Sequence, residues 1–473
     1  MPHQSVPAPD PSPRPGTPDD LRGRPLSPAG GCGEIRARRY RPLERRGVST
    51  VDENVLVIGA GQGGLSASYF LTRAGVSHRI VDRGGVAHAW ERHRWDSFCL
   101  VTPNWTVNLP GRPYDGDDPD GFMLRDDFVA YMKDWAGSFD APVTAGVEAK
   151  QIARTGRQFR VSTNKGDISA RAVIVATATH QHPRLPPAAS SVPANLVQLH
   201  AEDYRNPGQA APGAVLVVGS GQTGCQIVED FLRAGRDSYL CVARTGRLPR
   251  RYRGRDIIFW QHQMGLLDRT PGMLDDPGMR FVGDPHVTGR DGGGTVSLYD
   301  FARRGVRLLG RLEGVDGRSL HLRNDLADNL DYADRFCADV VAGIDEFVEA
   351  NGIDAPPHSE ADGLGYRAPG QARPETPACL NLDEAGIGTV IWATGFGFDF
   401  SWIEGLPTDR FGYPVTDGGA SPMEGMFFSG LNWMTKRKSG ILYGVGEDGR
   451  LVANHVAGFL EGRPGKPGPG MQE

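Results

Sequence analysis

Cysteine is sparse in this sequence of 473 residues, and what there is lies scattered. Cys32, Cys99, Cys225, Cys241, Cys337 and Cys379 form no C-x-x-C pair. That spacing fits neither a zinc site nor a disulfide scaffold, and it points to a reducing, cytoplasmic setting with no metal centre. It also argues against a flavin-dependent disulfide reductase, which needs paired redox cysteines where Cys99 stands alone. Long apolar runs are missing too. Stretches such as Ala172–Ala178 and Val215–Val218 have strand length, far below the roughly 20 residues that cross a bilayer, so no membrane association is expected. Met1–Pro15 is rich in proline and lacks the apolar segment of a secretory signal. Basic excess is absent as well. A net charge of -5 leaves no surplus to neutralise phosphates, which excludes a general nucleic-acid binder. Hydrophobic content of 39% and charged content of 23% are those of an ordinary globular chain, long enough for two or three domains.

Residues 1–50 read as a disordered leader. Seven of the first eighteen residues are proline, and a run of arginines from Arg36 to Arg46 follows as a solvated stretch. Order begins with the apolar, β-branched run Val55-Leu56-Val57-Ile58, then a Gly-rich turn, a helical pattern over Leu65–Ala74, and a second strand closing at Asp82. The same strand–turn–helix–strand unit returns from Ala214 and closes at Arg244. Two further buried strands, Ala172–Thr177 and Gly388–Thr394, each end in an Ala-Thr step. Between about 254 and 339 the pattern loosens and reads as a helical or irregular insertion. The expected fold is α/β, with two Rossmann-like three-layer dinucleotide-binding domains. The first spans 51–185 and resumes at 379–462, the second spans 186–378, and 463–473 is a flexible tail.

The first turn is Gly59-Ala60-Gly61-Gln62-Gly63-Gly64, a G-x-G-x-x-G fingerprint. Gly59 permits the tight turn, Gly61 lets the backbone approach a pyrophosphate, and Gly64 lets helix and strand pack closely. The helix N-terminus adds free N–H groups and partial positive charge. Asp82 at the next strand end accepts hydrogen bonds from ribose hydroxyls and repels a 2′-phosphate, which suits FAD. The second turn, Gly219-Ser220-Gly221-Gln222-Thr223-Gly224, repeats the fingerprint. There the strand end carries Arg244, with Arg247, Arg250 and Arg251 close behind. A guanidinium grips a 2′-phosphate bidentately, which favours NADPH.

The order of motifs resembles the two-dinucleotide-domain (class B) flavoprotein monooxygenases, which include flavin-containing, N-hydroxylating and Baeyer–Villiger enzymes. Beside the two turns, the resemblance rests on Trp90–Ser97, on Leu199–Arg205 with its His200 and Tyr204, on Ala393-Thr394-Gly395-Phe396, and on Lys438–Glu447. Two departures stand out. The signature begins Leu196-Val197-Gln198-Leu199-His200, without the family's Phe-x-Gly, and Ala176-Thr177-Ala178 lacks the glycine of its counterpart. The resemblance implies that NADPH reduces FAD and that O2 then forms a C4a-(hydro)peroxyflavin, which passes one oxygen atom to a small-molecule substrate by N-, S- or Baeyer–Villiger-type oxygenation. It implies cofactor contacts at Gln62, Gly63, Arg83, Trp90, Arg94, Trp95, Thr102, Arg247, Thr394, Gly395 and Leu442. Asn104, as a hydrogen-bond donor to the peroxide, Arg94, as a cation beside reduced flavin, and His200 are the implied catalytic residues. An FAD-dependent NADPH oxidase or dehydrogenase without oxygen transfer stays open, as does a non-catalytic NADPH-sensing regulator. The oligomeric state is open, a homodimer included.

Overall fold

Val55, Leu56 and Val57 have no exposed surface, as a strand covered on both faces requires. They belong to β1 (Val51–Ile58), the centre of a sheet in a computed structural model that describes residues 51–462. The expected leader 1–50 and tail 463–473 lie outside the described residues. β1 pairs in parallel with β2 (Arg79–Asp82), which pairs with β3 (Val143–Ala145). β4 (Ala149–Thr155), β5 (Gln158–Thr163) and β6 (Gly166–Val175) form an antiparallel meander. β6 serves both parts, because its N-terminal half pairs with β5 while Ile168–Val175 lies parallel to β1. The late strand Met426–Phe428 then pairs in parallel with Val173–Val175. The chain therefore leaves this domain and returns to complete its sheet.

The second sheet is wholly parallel. β7 (Val197–His200), β8 (Ala214–Val218), β9 (Ser238–Cys241), β10 (Arg307–Leu309) and β11 (Ile387–Trp392) lie in the order β7-β11-β8-β9-β10. The stretch 254–339 differs from an insertion: it supplies β10 to this sheet, and its end runs on into a long helix. That helix, Leu326–Ala350, buries Leu326, Leu330, Ala333, Cys337, Ile344 and Val348 at helical spacing.

Each domain opens with the same helix. α1 (Gln62–Arg73) follows β1 and α2 (Gln222–Arg233) follows β8. A later helix, α4 (Val445–Leu460), crosses α1 so closely that a Cβ on Gly449 would sit 2.7 Å from the Ser66 side chain. The Leu326–Ala350 helix is α3. Among the described residues, no helix is long and apolar enough to cross a membrane.

Candidate functional site

The two Gly-rich turns have the same geometry. Gly59 has φ +112° and Gly219 φ +106°, a left-handed backbone open to glycine. A Cβ on Gly59 would lie 2.5 Å from the Ala176 carbonyl oxygen, and one on Gly219 2.4 Å from that of Ala393. At Gly64 and Gly224 it would lie 1.9 Å from the carbonyl oxygens of Gly59 and Gly219. Those four glycines are demanded by the fold. Gly61 and Gly221 are not, because a Cβ there meets no protein atom within 4 Å. Both stand at the N-terminal end of a helix, so the open space faces free backbone N–H groups.

The two Ala-Thr steps lie behind these turns. Gly395 takes φ +81°. Its counterpart Ala178 takes φ +54° in the same left-handed region, at a cost of roughly 1–2 kcal/mol. The missing glycine therefore changes the residue without changing the bend.

A cavity of about 610 Å³ runs past the first turn, within the size range of sites for cofactors. Gly59, Gly61, Gln62, Gly63, Asp82, Arg83, Trp90 and Arg94 line it. Asp82 accepts from the backbone N–H groups of Ala60 (2.9 Å), Gly84 (2.7 Å) and Gly85 (2.8 Å), which fixes the carboxylate at the cavity edge. The Trp90 indole donates to Gln62 (2.9 Å), and Gln62 donates to the Gly440 carbonyl (2.9 Å). The guanidinium of Arg94 stands 5.3 Å from the Trp90 ring centre and 5.6 Å from that of Phe98. His180, Gln181, Phe396, Asn432 and Ile441 also line the cavity. Phe396 and Ile441 fall within the segments that carry the resemblance without being read as contacts, and His180, Gln181 and Asn432 lie outside them.

At the second turn the Ser220 hydroxyl accepts from the Ala243 N–H (2.9 Å). Gln222 accepts from the Val287 N–H (3.0 Å) and donates to its carbonyl, and His286 contacts the Ser220 carbonyl. Neither 286 nor 287 carries a signal in the sequence. Of the four arginines after β9, only Arg244 is both exposed and outside every ion pair and hydrogen bond among the described residues. Arg247 is buried against Asp334 (2.7 Å), contrary to a role on the nucleotide. Arg250 is buried in a two-pronged pair with Asp256. Arg251 donates to the carbonyls of Gly292 and Gly293.

The segments Trp90–Ser97 and Leu199–Arg205 meet at the domain junction. The Asp96 N–H donates to the Arg205 carbonyl (2.7 Å), and His93 Nδ1 lies 2.6 Å from Glu202 Oε1. The Ser97 hydroxyl (2.6 Å) and the Tyr204 hydroxyl (3.2 Å) both donate to Asp230 on α2. Arg290 pairs with the same carboxylate. Asp96, Ser97, Tyr204 and Arg205 thus tie the two segments together, while Trp90, His93, Arg94 and Glu202 of the same segments line the cavity.

His200 belongs to that junction, away from the cavity lining. Its Nδ1 accepts from the Glu202 N–H (3.1 Å), which leaves Nε2 to donate to the Gly395 carbonyl (3.2 Å). Trp95 and Leu442 are buried and Thr102 accepts from Thr106 (2.9 Å), and none of the three lines the cavity. Thr394 donates to the Arg184 carbonyl. Asn104, read above as a donor to oxygen chemistry, is buried and spends its amide elsewhere. Nδ2 donates to the Asp118 carbonyl (2.9 Å) and Oδ1 accepts from the Met123 N–H (2.8 Å). Asn104→Ala is expected to lower stability by about 1–3 kcal/mol through two stranded backbone groups, visible as a lower denaturation midpoint. An unchanged midpoint with a collapsed kcat would restore the catalytic role.

This pair of linked sheets and matched turns is the fold of the two-dinucleotide-domain flavoproteins. Residues 56–253 match the family described as pyridine nucleotide-disulphide oxidoreductase. The CzcO-like oxidoreductase of Geobacillus kaustophilus is 29% identical over 408 residues, covering 85% of this chain and 98% of the relative. Among solved structures, the flavin-containing monooxygenase from Stenotrophomonas maltophilia superposes with a TM-score of 0.58 at 21% identity, over 87% of this chain and 99% of its own. The OTEMO complex with FAD and NADP superposes at 0.50 and 16% identity, over 87% and 86%.

Proposed function

We propose that this chain is an NADPH-dependent flavoprotein monooxygenase that delivers one atom of O2 to a small-molecule substrate in a reducing, cytoplasmic setting. The observation that carries the reading is the pair of open second glycines. Gly61 and Gly221 leave space that no protein atom uses, each at a helix N-terminus, which is what a dinucleotide pyrophosphate requires. The first cradle fits FAD, with Asp82 fixed to meet ribose hydroxyls, and the second fits NADPH, with Arg244 free to meet a 2′-phosphate.

When bound, the flavin would supply hydride acceptance and activation of O2. The chain's own residues bind, orient and exclude water. The N–H groups at the head of α1 offset the pyrophosphate charge, while Gln62 locks Trp90 as part of the cavity wall. Arg94 presents a cation to the cavity, which lowers the cost of negative charge beside it. The relatives and neighbouring folds bearing oxidoreductase and monooxygenase names support this reading.

A disulfide reductase, which the name of the matched family raises, is disfavoured by the cysteines. Among the described residues no cysteine lines the cavity, and burial pushes the Cys99 thiol up to about 11, so it is no thiolate at neutral pH. The purified protein should be yellow and should oxidise NADPH under air in preference to NADH. Arg244→Ala is expected to raise the KM for NADPH by roughly 10- to 100-fold, the worth of charged hydrogen bonds to a phosphate, and to leave that for NADH nearly unchanged. Equal use of NADPH and NADH by the wild type would overturn the assignment. Label from ¹⁸O2 should enter the product; hydrogen peroxide alone, across amine, sulfide, ketone and indole substrates, would replace the monooxygenase with an oxidase.

A further inference from the structure

Arg244 is exposed yet not loose. Its guanidinium carbon sits 4.2 Å from the ring centre of Tyr332 on α3, at cation–π distance. Tyr332 is one of a row of α3 residues that grip the loop after β9. Asn329 donates to the Val242 carbonyl (3.1 Å), and Asp334 pairs with Arg247 (2.7 Å). Phe336 backs Gly246 so tightly that a Cβ there would lie 2.7 Å from its ring. Positions 329, 332 and 336 share one helical face. From the other side, the Ser220 hydroxyl of the second turn holds the Ala243 N–H. The loop from Val242 to Arg247 is thus clamped between the phosphate turn and α3, and Arg244 alone presents an unpaired cation from it.

We propose that Tyr332 is a positioning residue for nucleotide specificity. Its ring holds the Arg244 guanidinium in the loop after β9, ready for the phosphate of a 2′-phosphorylated adenine nucleotide. The inference rests on the NADPH reading of the second turn and adds to it a residue from a remote helix. An arginine side chain carries about 2 kcal/mol of rotamer entropy. A ring that restrains it before binding reduces what the nucleotide must order, and so strengthens the grip on the 2′-phosphate without touching it.

The test is titration calorimetry on the flavin-loaded protein, with adenosine 2′,5′-bisphosphate and AMP as paired probes. The readout is the ratio of their dissociation constants, which a general loosening of the fold does not shift. The wild type is expected to favour the bisphosphate, and Arg244→Ala to abolish that preference. Tyr332→Leu, which keeps bulk without a π face, should cut the preference roughly 3- to 5-fold, and Tyr332→Phe should restore it. Equal binding of both probes by the wild type would overturn the reading of the site itself. A preference lost in Arg244→Ala but kept in Tyr332→Leu would overturn the role of Tyr332 alone. Loss in Tyr332→Phe as great as in Tyr332→Leu would also overturn it, because the phenyl ring offers the same face.

Discussion

Gly61→Val yields a folded protein that purifies colourless and oxidises no NADPH. Most glycines of the two turns are poor probes, because a side chain at Gly59 or Gly64 would collide with backbone at 2.5 or 1.9 Å and disturb the fold itself. Gly61 has no such neighbour, so a valine there meets only the space a pyrophosphate would take. Losing two charged hydrogen bonds, at about 1.5–3 kcal/mol each, weakens flavin binding by roughly a hundredfold or more. Gly221→Val is the matched control. It should leave the yellow colour intact and remove NADPH oxidation, since its open space belongs to the other turn. Absorbance of the purified variants and circular dichroism together read the outcome. A Gly61→Val protein that keeps full flavin content would remove the first turn from the binding site.

How much of this was legible beforehand depended on where each residue finds its partner. Gly59, Gly61 and Gly64 are readable because strand, turn and helix are consecutive, and the requirement on each glycine is local. Asp82 and Arg244 were named on the same local logic, and the structure places Asp82 at the close of β2 and Arg244 in the loop just after β9. Asn104, His200 and Arg247 were not readable. Their partners are the 118–123 loop, Gly395 and Asp334, and no spacing rule reaches so far along the chain. An arginine after a strand looks the same in sequence whether it meets a phosphate or, like Arg247, a buried aspartate.

The 254–339 stretch fails differently. β10 is three residues long, too short to show a period, and so the last strand of a parallel sheet hid inside an apparent insertion. The helix α3 does show its period, with Leu326, Leu330, Ala333 and Cys337 buried in turn. A boundary at 339 cut through it. The residues around Arg244 therefore come from a helix that the expected boundary divides.

Breaking the Arg250–Asp256 pair should cost about 3–5 kcal/mol of stability. Arg250 is 2% exposed and Asp256 9%. Asp256 accepts from Arg250 Nε (2.8 Å) and Nη2 (2.5 Å), and its Oδ1 also accepts from the Ile258 N–H (2.8 Å) at the head of the Ile257–Gln263 helix. The remaining arginine nitrogen Nη1 donates to the Val101 carbonyl (2.8 Å), so the pair also ties this loop to the segment beside the first domain. Burial lowers the Arg250 pKa while Asp256 raises it again, but no arginine gives up its proton at neutral pH. Asp256→Ala thus strands a buried cation and uncaps a helix together. Asp256→Asn keeps the cap and one acceptor, and should lose less. The double replacement Arg250→Met with Asp256→Leu removes both charges, and should recover part of the loss, because a matched apolar pair carries no desolvation penalty. Denaturant midpoints of the three variants against the wild type decide the matter. If Asp256→Ala loses no more than about 1 kcal/mol, the value of an exposed pair, then water reaches this site and the buried ion pair does not hold the two segments together.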